Sequence, residues 1–539
     1  MTIQPTLRRL YGNSFLPHHD YGKGGRGWRD LWQDQLSLIL MDASSVREAL
    51  INNFNGVRVD GSNATIIGDE PGEFKSDRNN IPRVWMDHGS WPLLTTKLYV
   101  DKTGDIDILF ENVSYFDDEF THYTKKTKKT IRNDIKGTIL EHLLVQNIIP
   151  YFNVGKHGNI RLEDADWNDG LDMASDKGES IAFTALYGSN LKTLAMILKH
   201  LESLGHATIT LFSALDILLH AAKVEGVQTK QDILSQYFDR VSTGSLETKT
   251  YNTLKVAKHL NQLGEELLSQ VRENEFLANE SEGWFNGYYD NNGLPLDNIS
   301  NKDMTLTPQV FAIMSGAATD EQIDQIIQAS DRYLYDPTVG GYRLNTNFDE
   351  VKTNMGRLFG FGFGHKENGA MFSHMAVMYA NALYQRGYIQ AGRKVLSTIY
   401  NFVSDIRKAK MYPGLPEYVD ARGRGMYPYL TGSASWYLLT LVTEIFGIKG
   451  RYGSLVLTPK LTKEEFLNCR ASVKTMINNT SVTFIYQNKD HLDYGEYQIK
   501  SVEGVNKAYA FERTEKGVII TEPIQDNVLS IELERLNNQ

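Results

Sequence analysis

Five carboxylic acids fall within ten residues of one short segment, which also carries a tryptophan and an asparagine. Carboxylates this close repel one another, so such a cluster persists only where cations, hydrogen bonds or partial protonation offset the repulsion. The same surroundings raise the pKa of a carboxyl group towards neutrality, as a general acid in catalysis requires. The segment is Arg161-Leu162-Glu163-Asp164-Ala165-Asp166-Trp167-Asn168-Asp169-Gly170-Leu171-Asp172.

A calcium loop and a helix cap are the alternative interpretations of this segment. Read as an EF-hand loop from Asp164, the sixth position needs glycine and the twelfth needs glutamate. Asp169 and Ser175 stand there instead, so the pattern argues against calcium, and we expect no metal. A capping role for Asp169 or Asp172 stays open and does not exclude catalysis.

Two further segments combine polar side chains with the start of an apolar helix, where free backbone N–H groups attract anions. Both are therefore candidate phosphate sites. Taken alone, His374 is explained better as a hydrogen-bonded core histidine, and an ordinary serine or threonine cap explains the other segment equally well. The first segment is His365-Lys366-Glu367-Asn368-Gly369-Ala370-Met371-Phe372-Ser373-His374, and the second is Thr431-Gly432-Ser433.

An aromatic and charged stretch lies near the N-terminus, where Trp28-Arg29-Asp30 leads into an apolar helix. Arg29 and Asp30 either bind sugar hydroxyls or pair with each other. The preceding Gly22–Gly27 satisfies the dinucleotide pattern G-x-G-x-x-G, but no strand precedes it, so we interpret this match as chance.

Helices must position most of these side chains, because apolar residues recur at helical spacing from about residue 28 to residue 450. Loops rich in glycine, asparagine and aromatic residues lie between them, and functional residues are usually found on such loops. The clearest predicted helices are Ser45–Phe54, Ile131–Ile149, Ser180–Leu204, Thr208–Val224, Asn252–Asn274, Met371–Arg386 and Ser433–Phe446.

After Gly450 the pattern changes to short alternating runs with turn residues between them, which predicts a small β domain. The predicted organisation is a lead-in segment over residues 1–27, a mainly α catalytic domain over 28–450 and a β domain over 451–539. The predicted strands are Ser454–Leu457, Ser472–Ile477, Val482–Tyr486 and Gly517–Thr521.

The composition excludes several classes of function. With 56 basic and 66 acidic residues the net charge is −10, so the field of the protein repels nucleic acid, and we interpret the basic run Lys125–Lys129 as a solvated helix entrance. One cysteine, Cys469, permits neither an intrachain disulfide nor a thiolate zinc cluster. No stretch has the apolar length of a signal peptide or a membrane span, so we expect a cytoplasmic protein without membrane contact.

Seven polar and aromatic segments follow one another over about four hundred residues: Arg29-Asp30 with Gln33-Asp34, Trp85-x-Asp87-His88, Asp166-Trp167-Asn168-Asp169-Gly170, Gly178-Glu179-Ser180, Lys366-Glu367-Asn368-Gly369 with His374, Pro416-Glu417-Tyr418, and Leu430-Thr431-Gly432-Ser433-Ala434. Together and in this order they resemble glycoside hydrolase family 94, the cellobiose and chitobiose phosphorylases and their relatives. The resemblance implies an (α/α)6 barrel followed by a small β domain.

The resemblance also implies a role for each matched residue. The last aspartate of the Asp-Trp-Asn-Asp motif is the general acid in that family, so this role falls to Asp169. The family's other contacts place the donor sugar against Arg29, Asp30, Trp167 and Glu367, the acceptor sugar near Lys366, and phosphate against His374, Thr431 and Gly432.

The implied reaction is the reversible, inverting phosphorolysis of a β-linked gluco-oligosaccharide. Asp169 protonates the glycosidic oxygen while phosphate, a co-substrate, attacks the anomeric carbon from the opposite face; no cofactor is expected. One alternative is a hydrolase on the same barrel, in which Glu417 or Glu367 activates water. The other is a catalytically silent carbohydrate-binding subunit.

Two departures from the family pattern concern the N-terminal part of the chain. Family members normally carry a large β-sandwich before the barrel, whereas this chain begins almost at the barrel itself. Either a partner chain supplies the N-terminal β domain or this branch dispenses with it, and the expected assemblies are a homodimer or a complex with that partner chain. Lys23 stands where the family tends to have an arginine.

Overall fold

Helices form the frame of the protein up to residue 445. The computed structural model describes residues 4–6, 27–68, 70–76, 83–116, 135–220, 224, 226–242, 247–411, 414–427 and 432–536. The helices in these ranges are α1 (Trp28–Met41), α2 (Val46–Phe54), α3 (Trp91–Thr103), α4 (Ile139–Phe152), α5 (Ile181–Ser203), α6 (Asp216–Leu219), α7 (Val227–Ser242), α8 (Thr253–Asn274), α9 (Leu306–Ser315), α10 (Asp320–Tyr333), α11 (Ser373–Gln385), α12 (Ile389–Ser404), α13 (Ile406–Ala409) and α14 (Gly432–Leu439), which continues as a π-helix over Thr440–Ile445.

Short strands interrupt the helices, and longer strands follow them. The strands are β1 (Ile66–Ile67), β2 (Phe74–Lys75), β3 (Asn112–Ser114), β4 (Lys136–Thr138), β5 (Glu179–Ser180), β6 (Thr208–Phe212), β7 (Thr248–Asn252), β8 (Phe276–Ala278), β9 (Gly283–Phe285), β10 (Tyr288–Tyr289), β11 (Tyr335–Asp336), β12 (Gly341–Tyr342), β13 (Met371–Phe372), β14 (Tyr418–Val419), β15 (Gly425–Met426), β16 (Ile448–Arg451), β17 (Ser454–Leu457), β18 (Arg470–Ile477), β19 (Thr480–Gln487), β20 (Tyr497–Glu503), β21 (Glu512–Thr514), β22 (Gly517–Ile520) and β23 (Val528–Arg535).

Helix α8 shows how a few side chains set the bounds and the packing of a helix. The Asn252 side chain accepts a hydrogen bond from the Lys255 N–H and caps the first turn. Buried apolar residues three or four positions apart then form one stripe, which packs against α5. At the crossing, a Cβ atom on Gly264 would lie 2.6 Å from the Gly188 carbonyl oxygen of α5, so the close approach requires glycine.

Contacts between the helices run in a closed circuit. Helix α1 contacts α2, α2 contacts α4, and the sequence of contacts continues through α5, α9, α11 and α14 back to α1. A second set of helices packs outside this circuit: α3 on α1, α8 on α5, α10 on α9 and α12 on α11. The hydrophobic core therefore lies between the two sets of helices, and the loops at the end of the circuit carry the candidate site.

The C-terminal part consists of two four-stranded sheets with the orders β16-β17-β22-β21 and β18-β19-β23-β20. Strand β16 packs against α3, and the buried Lys102 ammonium of α3 donates a hydrogen bond to the Ile448 carbonyl oxygen at 2.8 Å. A Cβ atom on Gly450 would lie 2.0 Å from the Asp101 carbonyl oxygen. The helical and β parts are thus held together by close backbone contact and a hydrogen bond from a buried lysine.

Most of the elements predicted from periodicity are confirmed, with three corrections. The segment Thr208–Val224 was predicted as a helix, but Thr208–Phe212 is strand β6, because its residues alternate between exposed and buried and pair with β7. Strand β4 occupies the first described part of the predicted helix Ile131–Ile149. Similarly, Met371–Phe372 is strand β13, so helix α11 begins only at Ser373.

Some of the residues named from the sequence lie outside the described ranges. These are Gly22–Arg26, the basic run Lys125–Lys129, residues 131–134 of a predicted helix, Leu430 and Thr431.

Helix α5 has the length and composition of a membrane-spanning helix, with a mean hydropathy of 1.3 over its most apolar window. Since 78% of that window is buried inside the protein, packing against α8 and α9 accounts for its apolar character.

Candidate active site

A tight turn presents the acidic segment. The Asn168 N–H donates to Asp166 Oδ1 at 2.8 Å, and Asn168 Oδ1 accepts from the Gly170 N–H at 3.2 Å. Ser180 Oγ and the Tyr288 hydroxyl also donate to the buried Asp166 carboxyl group, at 2.8 and 3.3 Å. Burial raises the pKa of Asp166 to about 7. Asp166 therefore braces the turn from inside, and Asp169 at its far end points out of it.

Asp169 is held by Arg29 of helix α1. Two N–H groups of the guanidinium donate to Asp169 Oδ1, each at 3.1 Å. The Asp169 side chain is 42% exposed, whereas that of Arg29 is 16% exposed. One side of the carboxyl group is therefore open, and the other contacts the guanidinium. Burial nevertheless raises the pKa of Asp169 above its ordinary value, against the opposing charge of Arg29. A half-open carboxyl group with a raised pKa is suited to donate a proton.

Arg29 is itself fixed by the motif around Trp85 and Asp87. Its guanidinium forms an ion pair with the buried Asp87 carboxylate and donates to the Asp166 carbonyl oxygen at 3.1 Å. Burial alone would raise the pKa of Asp87, but the charge of Arg29 and the hydrogen bonds that the carboxylate accepts together hold the pKa below its ordinary value. Trp91 Nε1 donates to the same carboxylate at 2.8 Å. Arg29 thus pairs with Asp87 and Asp169, and the charge of Asp30 acts on it more weakly.

A second loop packs directly on the turn that carries Asp169. The Leu358 N–H donates to the Gly170 carbonyl oxygen at 3.0 Å, and Arg357 forms an ion pair with Asp172 at 2.8 Å. A Cβ atom on Gly356 would lie 1.9 Å from the Gly170 carbonyl oxygen. Gly356 therefore allows the close contact between the two loops, and the ion pair between Asp172 and Arg357 stabilises this contact.

His374 lies on the other side of Trp167, which stands two residues before Asp169. Trp167 Nε1 donates to His374 Nδ1 at 3.3 Å, and both side chains are buried. Because Nδ1 accepts this hydrogen bond, the assigned proton of a neutral His374 ring is on Nε2. A Cβ atom on Gly432 would lie 3.0 Å from Nε2. His374 thus presents an N–H group towards the start of helix α14.

Gln33 completes the wall next to Gly432. It is fully buried, and its Oε1 accepts a hydrogen bond from Trp436 Nε1 of α14 at 2.7 Å. A Cβ atom on Gly432 would lie 3.1 Å from this oxygen. A side chain at position 432 would crowd both His374 and Gln33, and the first N–H groups of α14 open at this point. Sequence reasoning had matched Gln33 to a motif without giving it a role; its spacing of four from Arg29 was the available signal.

Lys366, Glu367 and Glu417 lie on a third side of the site. The Lys366 ammonium is 4.1 Å from the centre of the Tyr427 ring and 5.6 Å from that of Tyr418. Burial, followed by the negative charge of Asp169, raises the pKa of Glu367 above its ordinary value. Lys366 takes a left-handed backbone conformation with φ of 50°, within the tight turn that places both side chains.

Glu417 was considered from the sequence only as a water-activating base, and the structure places it within the site. Its carbonyl oxygen accepts from the Ser373 N–H at 3.0 Å, which sets it beside the start of α11. Burial raises the pKa of Glu417 to about 7, against the charge of Lys366, with Glu367, Asp30 and Asp169 adding to the rise. The half-buried Asp30 therefore belongs to the same group of carboxyl groups.

The remaining matched motifs support the scaffold. Glu179 is buried and pairs with His157 Nδ1 at 2.6 Å. His88 is buried, its Nδ1 lies 3.2 Å from Asn63 Nδ2, and burial lowers its pKa to about 3. Within the described ranges no three histidine, cysteine or acidic side chains are grouped so that they could hold a metal ion.

Comparison with known proteins assigns the chain to a family. Residues 15–208 and 246–447 match the family described as Glycosyl hydrolase 94 superfamily, catalytic domain. Solabiose phosphorylase from Paenibacillus borealis is 22% identical over 426 residues, which cover 77% of this chain and 46% of that protein. N,N'-diacetylchitobiose phosphorylase from Vibrio proteolyticus is 21% identical over 472 residues, covering 81% and 49%. The chain spans about half the length of these relatives. With more than half of its residues matched by the family, the chain belongs to the glycosyl hydrolase 94 superfamily.

Proposed function

We propose that the protein cleaves a β-linked gluco-oligosaccharide by inverting phosphorolysis, giving an α-sugar 1-phosphate and a shortened sugar. The observation that carries this proposal is that two side chains on one face of helix α1 contact the proposed proton donor and the proposed phosphate site. Arg29 binds Asp169, and Gln33, one turn later, contacts Gly432 beside His374. Four residues of helix span only about 6 Å, so the acid and the anion pocket are neighbours.

Asp169 is the proton donor in this proposal. Its raised pKa keeps a proton available, and Arg29 fixes the orientation of the carboxyl group. The proton goes to the glycosidic oxygen as the bond from that oxygen to the anomeric carbon breaks. In the reverse direction the Asp169 carboxylate takes the proton back from the acceptor hydroxyl.

Phosphate is the nucleophile. His374, Gly432 and Thr431, with the N–H groups at the start of α14, hold it, and one of its oxygens attacks the anomeric carbon from the face opposite Asp169. The β-linked sugar becomes an α-sugar 1-phosphate by inversion. An inverting hydrolase needs a second carboxylate to deprotonate water. Phosphate is already an anion, so this reaction needs neither that base nor a cofactor.

The substrate lies between these groups in our proposal. The donor sugar contacts Arg29, Asp30, Trp167 and Glu367, and the acceptor sugar lies near Lys366. We take glucose as the donor and leave the linkage open. The names of the relatives, solabiose and N,N'-diacetylchitobiose phosphorylase, support a disaccharide as substrate. We also propose that the helices before the C-terminal sheets form an (α/α)6 barrel.

The experiment that tests the proposal is cleavage of a panel of β-linked glucodisaccharides with and without inorganic phosphate. We expect cleavage only with phosphate, and one α-sugar 1-phosphate for each bond cleaved. Cleavage at equal rates without phosphate would overturn the proposal in favour of a hydrolase. Sugar binding without cleavage under both conditions would favour a silent carbohydrate-binding subunit.

One observation favours the hydrolase as the second candidate. Glu417 is a carboxyl group with a pKa of about 7 in the same site as Asp169, and such a group is suited to activate water. The variant Glu417→Gln separates the two functions. A hydrolase would lose about two orders of magnitude or more of its rate in the absence of phosphate. A phosphorylase has no phosphate-independent rate to lose.

A further inference from the structure

Lys366 and Glu417 flank the same two tyrosine rings. The Lys366 ammonium lies over Tyr427 and Tyr418, and Glu417 directly precedes Tyr418. The Glu417 N–H also donates to the Tyr427 carbonyl oxygen at 3.3 Å. Tyr418 is buried, whereas Tyr427 is partly exposed and offers an apolar surface on which a sugar ring packs. The two charged groups are therefore placed to contact hydroxyl groups of a sugar that lies beside Tyr427.

Glu417 lacks a donor on one of its oxygens. Oε2 is buried and has no hydrogen-bond partner among the residues that the structure describes. A buried acceptor that stays unsatisfied is destabilising, so such an atom usually has a partner in the functional state. A hydroxyl group of a bound sugar is a donor of the right kind. A carboxylate on the sugar, in contrast, is only an acceptor and cannot satisfy this oxygen.

The charges around Lys366 also favour an uncharged sugar. Among the charges that act on Glu417, that of Lys366 is the largest and favours its ionised form, whereas Glu367 and Asp169 oppose ionisation. Lys366 is thus one ammonium beside two glutamates. The neighbouring arginines are already paired, Arg29 with Asp87 and Asp169, and Arg357 with Asp172. A negatively charged sugar would meet more negative than positive charge here.

We infer that the acceptor position is built for an uncharged sugar and rejects sugar acids, and that Glu417 is the residue that sets this preference. The inference rests on the proposed phosphorolysis, since it concerns the acceptor of the reverse reaction. Unit charges within about 6 Å at a partly exposed site repel by enough to change a rate constant about tenfold or more. Uronates should therefore be at least about tenfold poorer acceptors than the parent neutral sugars.

The test is synthesis from an α-sugar 1-phosphate, measured as phosphate release with matched pairs of acceptors. The pairs are glucose with glucuronate, galactose with galacturonate, and mannose with mannuronate, each supplied with α-glucose, α-galactose or α-N-acetylglucosamine 1-phosphate. Assays at about pH 8 keep most of Glu417 ionised. We expect kcat/KM for the neutral member of the best pair to exceed that for the uronate at least about tenfold.

Glu417→Gln and Glu417→Asp are the matched variants. Glutamine removes the charge, so the ratio of neutral to uronate kcat/KM should fall about tenfold, and the acceptor KM should change more than the KM of the sugar 1-phosphate. Aspartate keeps the charge and should keep the discrimination. Circular dichroism and thermal unfolding of both variants establish that they are folded.

The outcomes separate this inference from the proposed function. Wild-type protein that uses uronates as well as neutral sugars overturns the inference and leaves phosphorolysis standing. An unchanged acceptor ratio in folded Glu417→Gln also overturns it. If no sugar 1-phosphate is used with any acceptor, the proposed function fails, and the inference fails with it.

Discussion

At the scale of single residues, the site depends on the different surroundings of two carboxyl groups. Asp166 is enclosed and saturated with donors, whereas Asp169, three positions later, is half exposed and has one cationic partner. The same short sequence therefore yields a structural carboxyl group and the one that we propose as the proton donor. Asp169 differs from Asp166 in its exposure and in its ion pair with Arg29.

The pH dependence of phosphorolysis follows from the raised pKa of Asp169. As the acid, Asp169 must carry its proton, so the rate falls as the pH rises through its pKa. Arg357, whose positive charge lowers the pKa of Asp169, is half exposed. In Arg357→Gln this pKa should rise, and the alkaline limb of kcat/KM should move to higher pH by about half a unit or less.

The measurement is the kcat/KM profile of wild type and variant in parallel, so that the ionisation of phosphate itself affects both equally. Arg407→Gln, an exposed substitution outside the site, is the control and should leave the limb in place. A shift of the Arg357→Gln limb to lower pH would contradict the assigned role of Asp169.

Sequence reasoning identified the side chains that bear charge more readily than those that support them. The five acids of residues 163–172 stand out by their spacing alone, and His374 and Gly432 by their position at helix starts. Gln33 does not stand out, because an amide in an amphipathic helix has no distinctive pattern. Its contact with Gly432 spans almost four hundred positions, which no local signal records.

At the scale of elements, helices α1 and α14 matter most because they meet at the proposed anion pocket. The Trp436 indole donates to Gln33, and Ser37 and Ser435 lie within hydrogen-bond distance at 3.1 Å. This interface fixes the start of α14 against His374. The position of the helix start, and with it the pocket, is therefore a property of the packed pair of helices.

Gly432→Ala tests this interface at its tightest point. The added methyl group would lie 3.0 Å from His374 Nε2 and 3.1 Å from Gln33 Oε1, so His374 or the helix start must move. We expect the KM for phosphate to rise about tenfold or more, with a smaller change in the KM for the disaccharide.

Ser435→Ala is the control for this prediction. It removes the contact with Ser37 in the same interface but does not reach His374. Its KM for phosphate should match that of the wild type. If Gly432→Ala changes the KM for the disaccharide alone, the anion pocket lies elsewhere.

Elements were predictable where their residue periodicity was long and unambiguous. Ser180–Leu204 and Asn252–Asn274 were predicted within one residue of α5 and α8 at each end, because each has a long buried stripe and a side-chain cap. The prediction of a helix over Thr208–Phe212 was wrong, because five residues are too few to distinguish helical from strand periodicity. The segment forms a strand because it pairs with β7, which is distant in the sequence. Short strands that directly precede helices, such as β13, were not predicted for the same reason.

At the scale of the whole molecule, a buried lysine joins the helical part to the C-terminal sheets. Lys102 is 2% exposed, and its ammonium group has the Ile448 carbonyl oxygen as hydrogen-bond acceptor. Burial lowers the pKa of Lys102 to about 7. An unfolded chain would hold this proton up to an ordinary pKa near 10.4.

This difference makes stability depend on pH with a defined sign. Between about pH 7 and pH 10 the unfolded chain binds a proton that the folded chain does not, so the free energy of unfolding contributed by Lys102 rises with pH. The stability of wild type relative to Lys102→Met should increase by up to about 1.4 kcal/mol per pH unit across this window.

Denaturant unfolding of both proteins at several pH values measures this difference. Lys97→Met, on the same helix and paired with Asp101, is the matched control for the loss of a lysine from α3. A difference between wild type and Lys102→Met that stays constant with pH would mean that Lys102 keeps its proton in the folded protein.

The most direct test of the whole account is the turnover of Asp169→Asn on two substrates with different leaving groups. One is the disaccharide that the wild type cleaves best, which needs a proton on the departing oxygen, and the other is 2,4-dinitrophenyl β-glucoside, which does not. With phosphate present, we predict that the variant loses about three orders of magnitude or more on the disaccharide but less than about tenfold on the activated glucoside. Equal losses on both substrates, or no loss on the disaccharide, would contradict the assignment of Asp169 as the proton donor.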